Sequence, residues 1–226
     1  MSSAVTIDSF DWADFQSRID KLIRFASAAT LSPINSDRWE EIIYHTLKTM
    51  GLGYQGGPPK WELGSHAKGA DLWTDNFAIS AKAGVVKPDS LIISSYRLTR
   101  FGSLKEMKDY IDGPGRNFDI YLCCARAETT QMRTYKIFLI PVEVLVANDL
   151  SWAEMHGKSG GFIGWSGVGD TGVKVNIRSK MSNQLWVEVP LKFCKLLGEI
   201  NIPIKTLGNA LEGILINPAI LPAIED

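Results

Sequence analysis

Lys68-Gly-Ala-Asp71-Leu-Trp-Thr-Asp-Asn-Phe77-Ala-Ile-Ser80-Ala-Lys82 is the stretch on which the reading of this chain turns. Ala70 to Trp73 and Phe77 to Ala81 are apolar runs of strand length, and Thr74, Asp75 and Asn76 between them are turn formers, so the segment predicts a β-hairpin. Period-two alternation sends Ser80 and Lys82 to one face of the second strand, where Asp71 on its partner meets them. A carboxylate at a strand end is a hard oxygen ligand for a divalent cation. A lysine beside it can orient or deprotonate a water, or stabilise charge growing on a phosphate. The plain alternative is a surface hairpin whose Asp and Lys are only solvated.

Outward from the hairpin, the apolar periods define the rest. Phe10, Phe15, Ile19, Leu22, Ile23 and Ala26 recur at three- and four-residue intervals and predict a helix over 10–29. Trp39, Ile42, Ile43, Thr46, Leu47 and Met50 form the face of a second helix, capped by Ser36 or Asp37 and stopped by Gly51 and Gly53; it carries Glu40 and Glu41. A Gly/Pro-rich connection follows from Gln55 to Lys60. Downstream, Leu91 to Ser94, Phe118 to Ala125 and Tyr135 to Ile140 read as strands and Leu104 to Ile111 as a helix. The glycine-rich run Ser159 to Gly169 is expected to be a mobile loop offering Phe162 and Trp165 to a base step. Beyond it, Val173, Val175 and Ile177 alternate with Lys174, Asn176 and Arg178, and Leu185 to Val189 supplies another strand. Asn217 to Asp226 reads as a weakly structured end. The class is α/β, a central mixed sheet flanked by helices, in one domain over 1–226. Its core would span about 36–145 and a recognition region about 157–190.

Composition narrows the function. The chain has 226 residues, 45% of them hydrophobic, enough to bury a full core. With 24 basic against 25 acidic residues it has no bulk affinity for nucleic acid, so any such affinity must be local. That asymmetry lies in Thr171 to Trp186, where Lys174, Arg178 and Lys180 face no acidic residue, a local charge of +3. Asn176, Ser182, Asn183 and Gln184, interleaved with them, are side chains that read base edges, as a β-ribbon in a groove would. A solvated amphipathic hairpin is the competing reading. Three cysteines suit a reducing, cytoplasmic setting better than a disulfide framework. The N-terminal residues lack a signal-peptide pattern, and no stretch approaches the roughly 20 apolar residues of a membrane span, so neither secretion nor membrane insertion is expected. His45, His66 and His156 are scattered and do not suggest zinc. Gly167-x-Gly169-x-x-Gly172 matches a dinucleotide fingerprint only formally, since a strand pattern rather than a helix follows it.

The order Asp71-x8-Ser80-x-Lys82 resembles the signature of the PD-(D/E)xK nucleases, a strand aspartate followed by an acidic-x-lysine triplet on the next strand. Ala70 stands where proline is usual, and Ser80 where the second carboxylate is usual. In many members a glutamate on the preceding helix contributes, and Glu40, with Glu41 as the alternate, is similar to it. The resemblance implies a restriction-endonuclease-like core. Glu40 and Asp71 would hold Mg2+ together with the Ala81 carbonyl, and Lys82 would position the nucleophile beside Ser80. It further implies phosphate contacts from the stretch after the lysine strand, Arg97 and Arg100 with Ser95 and Thr99. The expected activity is that of a type II restriction endonuclease, a homodimer cutting both strands of a palindromic site in double-stranded DNA, by analogy with rare cutters of long A·T-rich palindromes. A resolvase or repair nuclease of the same fold, and a non-catalytic DNA-binding protein with Ser80 as its scar, are the other readings.

Overall fold

Ile120, Leu122 and Cys124 bury one face of a strand while Tyr121, Cys123 and Ala125 bury the other, and this double burial sets the middle of the molecule. In the computed structural model, residues 10–30, 32–62, 69–179 and 182–204 are described. Their strands are β1 (Lys60–Trp61), β2 (Leu72–Trp73), β3 (Ala78–Val86), β4 (Ser90–Arg97), β5 (Ile120–Glu128), β6 (Met132–Pro141), β7 (Ser151–His156), β8 (Phe162–Val168), β9 (Lys174–Arg178), β10 (Gln184–Pro190) and β11 (Lys195–Pro203). They form one mixed sheet in the order β11-β6-β5-β3-β4-β10-β9-β8-β7, with β2 on β3 and β1 on β2. Only β3 and β5 pair in parallel. The other described ladders are antiparallel.

Among the described residues, three α-helices cover this sheet unevenly. α1 (Trp12–Ala29) packs on α2 (Ser36–Thr49) and on β11, and α2 packs on β3. Their apolar stripes close one core over Ile79, Ala81, Leu122, Ile137 and Leu197. Trp39, 1% exposed, ties α2 to the central strand by donating its indole N–H to the Leu122 carbonyl at 3.0 Å. α3 (Leu104–Asp112), closed by a Ser103–Glu106 capping box, covers the opposite face together with the inward residues of β9 and β10. Among the described residues, the face that α1 and α2 cover is therefore helix-covered over β3, β5, β6 and β11 alone. On that same face, among the described residues, the half made of β4, β10, β9, β8 and β7 carries no helix.

Several expectations shift. The α2 cap is Asn35, whose side chain accepts from the Arg38 N–H at 3.0 Å, rather than Ser36 or Asp37, which lie inside the helix. The glycine-rich run expected as a mobile loop is largely strand β8, because its glycines sit where the ladder packs closely: Gly167 lies against the Trp152 ring, and Gly164 (φ +144) against the Ile177 carbonyl. Trp165 packs against the core and is not available as a free wedge. Strands β1, β7 and β11 were not anticipated: β1 has two residues and no period, and β7 and β11 have exposed edges that blur alternation. The 217–226 tail, His66 and Lys180 lie outside the described residues. Among the described residues, no helix is long and apolar enough to cross a membrane.

Candidate functional site

The site grows from a split in the sheet. One edge of β3 pairs with β2 at Ala78 and Ile79 and with β4 only from Gly84 onward, so residues 80–83 have no strand neighbour on that edge. The Ala81 N–H points into the gap and would be orphaned, a cost of about 1–3 kcal/mol for a buried donor. Asp71 removes that cost: its Oδ2 accepts from the Ala81 N–H at 2.7 Å. Lys82 Nζ donates to the same oxygen at 3.0 Å, and Ser80 Oγ lies 3.3 Å from it. Among the described residues all hydrogen bonds to the carboxylate go to Oδ2, which leaves Oδ1 as the free acceptor. In an extended strand a residue's N–H and C=O share an edge, so the Ala81 carbonyl faces the same gap.

Glu40 approaches from α2, on the other face. It is half-buried, whereas Glu41 is exposed. Its Oε2 accepts from the Trp61 indole N–H at 3.1 Å, and Trp61 in turn stacks near Tyr44, with ring centroids 5.5 Å apart. Burial holds the Glu40 carboxyl above the usual glutamate range. The Trp61 hydrogen bond opposes that rise, the neighbouring Asp71 charge adds to it, and Lys82 opposes it. Glu40 thus lies within electrostatic reach of both members of the Asp71–Lys82 pair, whose side chains are 11% and 17% exposed.

Ser80, one of the two departures from the resembled signature, lies inside the site. Ser80 is 1% exposed, and its single hydroxyl proton goes to the Gly69 carbonyl at 2.9 Å, with Asp71 Oδ2 at 3.3 Å as the weaker, shared acceptor. It is a buried tether rather than an open ligand. Among the described residues no group of three or more His, Cys, Asp or Glu side chains could hold a metal. Glu40 and Asp71 remain as an oxygen-only pair. That set fits Mg2+, which keeps several waters and is commonly held by one or two carboxylates.

The nucleic-acid candidates separate into two groups. Cross-strand partners share a face, so Arg97, Gln184 and Arg178 form one row, Ser94, Trp186, Asn176 and Ser166 a second, and Glu188 with Lys174 a third. All three rows lie on the bare half of the face that α1 and α2 cover elsewhere. Arg97 reaches it because of a β-bulge: Ser95 and Tyr96 together oppose the single residue Leu185, which flips the alternation and turns Arg97 outward. Ser94, Arg97, Ser182, Gln184 and Trp186 line a cavity of about 350 Å³ there. The Trp186 indole nitrogen is shielded from solvent without a hydrogen-bond partner among the described residues. Arg100, by contrast, lies over the Tyr110 ring of α3 at 4.3 Å, and the Ser95 hydroxyl is buried, so the post-lysine stretch does not present one phosphate-binding row. Ser182 and Asn183 shape the turn, both at positive φ, and the Gln184 amide donates to the Ser95 carbonyl at 2.8 Å. Lys174 leans toward Glu188 at 4.0 Å.

Compared with protein-family models, curated proteins and solved structures, the chain matches none. Trp61 and Asn117 are the contributors that sequence reasoning missed. Trp61 sits in a two-residue strand inside what reads as a connection, and Asn117 acts 47 residues away, on Ala70; neither leaves a periodic signal.

Proposed function

We propose that this chain is a Mg2+-dependent endonuclease of double-stranded DNA with a restriction-endonuclease-like core, acting at a short palindromic site as a cytoplasmic homodimer. The observation that carries the reading is the meeting of Asp71 and Lys82 on the open edge of β3, with Glu40 of α2 within electrostatic reach of both. Glu40, the free Oδ1 of Asp71 and the Ala81 carbonyl are the groups that would hold the cation. Bound there, Mg2+ supplies neutralisation of the phosphate oxygens and a lowered pKa for the attacking water. Lys82 contributes an ammonium already fixed 3.0 Å from Asp71, ready to stabilise charge that grows on the phosphate. Asp71 is held by the Ala81 N–H and the Lys82 ammonium, so little reorganisation is needed when the substrate arrives. The bare face with Arg97, Lys174, Asn176, Arg178 and Gln184 adjoins this edge and supplies cations and amides for backbone and base contacts. Two-fold symmetry follows from a palindromic target, one active site per strand.

Incubation of the purified protein with phage or genomic DNA and Mg2+ tests this directly, and discrete fragments with uniform ends are the expected result. A second reading, a DNA-binding protein without catalysis, draws support from Ser80 acting as a tether where a second carboxylate is usual. Retained DNA binding with no cleavage in Mg2+ or Mn2+ would establish it over the first.

A further inference from the structure

Beyond its groups that face the reaction, the chain carries a device that fixes the backbone in front of Asp71. The peptide unit joining Gly69 to Ala70 is held at both ends. Its carbonyl accepts from the buried Ser80 hydroxyl at 2.9 Å, and its N–H donates to the Asn117 side-chain oxygen at 2.9 Å. Ala70 is fully buried, so Asn117 is what satisfies this donor. The next amide, that of Asp71, donates to the Ile79 carbonyl at 2.8 Å, and the Asp71 carbonyl accepts from the Glu62 N–H at 3.1 Å. Gly69 adopts φ +90, and a Cβ there would collide with Asn117 Oδ1 and lie 2.6 Å from the Gly115 carbonyl, so this close approach requires glycine. The Gly115 carbonyl is itself anchored by the Tyr96 hydroxyl at 2.8 Å.

We infer that Asn117 is a positioning residue for Asp71, and that Ala70 and Ser80 are two ends of one clamp on the Gly69–Ala70 peptide. The two departures from the nuclease signature are then linked. A proline at 70 has no N–H to give Asn117, and an acidic residue at 80 has no hydroxyl to give Gly69. Restoring the usual proline should damage this site rather than improve it. The catalytic half of the inference rests on the nuclease reading; the clamp itself does not.

The experiment uses the full-length protein with Asn117→Ala, Asn117→Asp, Ala70→Pro and the Ala70→Pro/Asn117→Ala double variant. Two quantities are measured: hydrogen exchange of the Asp71 amide in the absence of metal, and steady-state cleavage of a duplex carrying the site in Mg2+. Asn117→Ala should speed Asp71 exchange and lower kcat by about ten- to a hundredfold, with KM for DNA changed by no more than about twofold. Asn117→Asp, which keeps an oxygen acceptor, should restore both. In the Ala70→Pro background Asn117→Ala should add nothing, because the same bond is already gone. Wild-type exchange and kcat in Asn117→Ala, equal damage in Asn117→Asp, or additive losses in the double variant would overturn the inference. If the wild-type protein cleaves no DNA, the nuclease reading falls, and the exchange rates by themselves decide whether Asn117 holds Asp71.

Discussion

Around Asp71 the polar atoms satisfy one another: Ala81 N–H, Ser80 Oγ and Lys82 Nζ converge on one carboxylate oxygen, and Trp61 holds Glu40. On the outer face of β9 and β10, among the described residues, Asn176 and Arg178 have no side-chain hydrogen bond or ion pair, and Lys174 reaches Glu188 only at 4.0 Å. The first region's polar groups are already paired; the second leaves donors and acceptors unengaged among the described residues. A reaction centre gains from groups that need no reorganisation, whereas a reading surface gains from donors and acceptors that are free to meet base edges and phosphates.

The sharpest way to break this contrast is to unbalance the fixed region. Lys82→Met leaves the Asp71 carboxylate buried beside an apolar chain and should cost about 3 kcal/mol of stability in denaturant unfolding, as well as cleavage. Adding Asp71→Asn should recover part of the stability and none of the cleavage; recovery of activity would remove both residues from the reaction. Next in size is the comparison within α2. Glu40→Gln should reduce kcat by about a hundredfold while Glu41→Gln, exposed and turned away, stays within about twofold of wild type. On the proposed reading face, Lys174→Ala and Arg178→Ala should each lower the slope of log binding constant against log salt by about one, with kcat at saturating DNA unchanged. The smallest effect belongs to Arg100→Ala. Loss of its stack on Tyr110 should cost about 0.5–1 kcal/mol of stability, with a smaller change in salt slope than Arg97→Ala produces.

Much of this arrangement is legible in the chain because it follows local periods. The α2 stripe, the Asp71–Lys82 hairpin and the alternation of β9 are short-range patterns, and each reappears with boundaries displaced by only a few residues. What is not legible depends on partners distant in sequence. The buried tether made by Ser80 is visible only once Gly69 lies beside it, and Asn117 reads as an ordinary loop residue until the α3–β5 connection meets Ala70. Arg97 has the odd-numbered parity of the buried Leu91 and Ile93, and only the bulge opposite Leu185 turns it outward. A bulge changes parity without changing composition, so a residue-by-residue period cannot detect it.

The alternation of β9 and β10 has one more consequence. Val175, Ile177, Leu185, Val187 and Val189 point into the core shared with α3, while Lys174, Asn176, Arg178, Gln184, Trp186 and Glu188 point away from it. Because the two sets occupy opposite sides of the same backbone, substitutions in the outer set leave the inner packing untouched. The meander β7–β10 is moreover inserted between β6 and β11, which are direct neighbours in the sheet. If this face reads DNA as proposed, such a layout lets natural variation rewrite what it recognises at little risk to folding, one outward residue at a time.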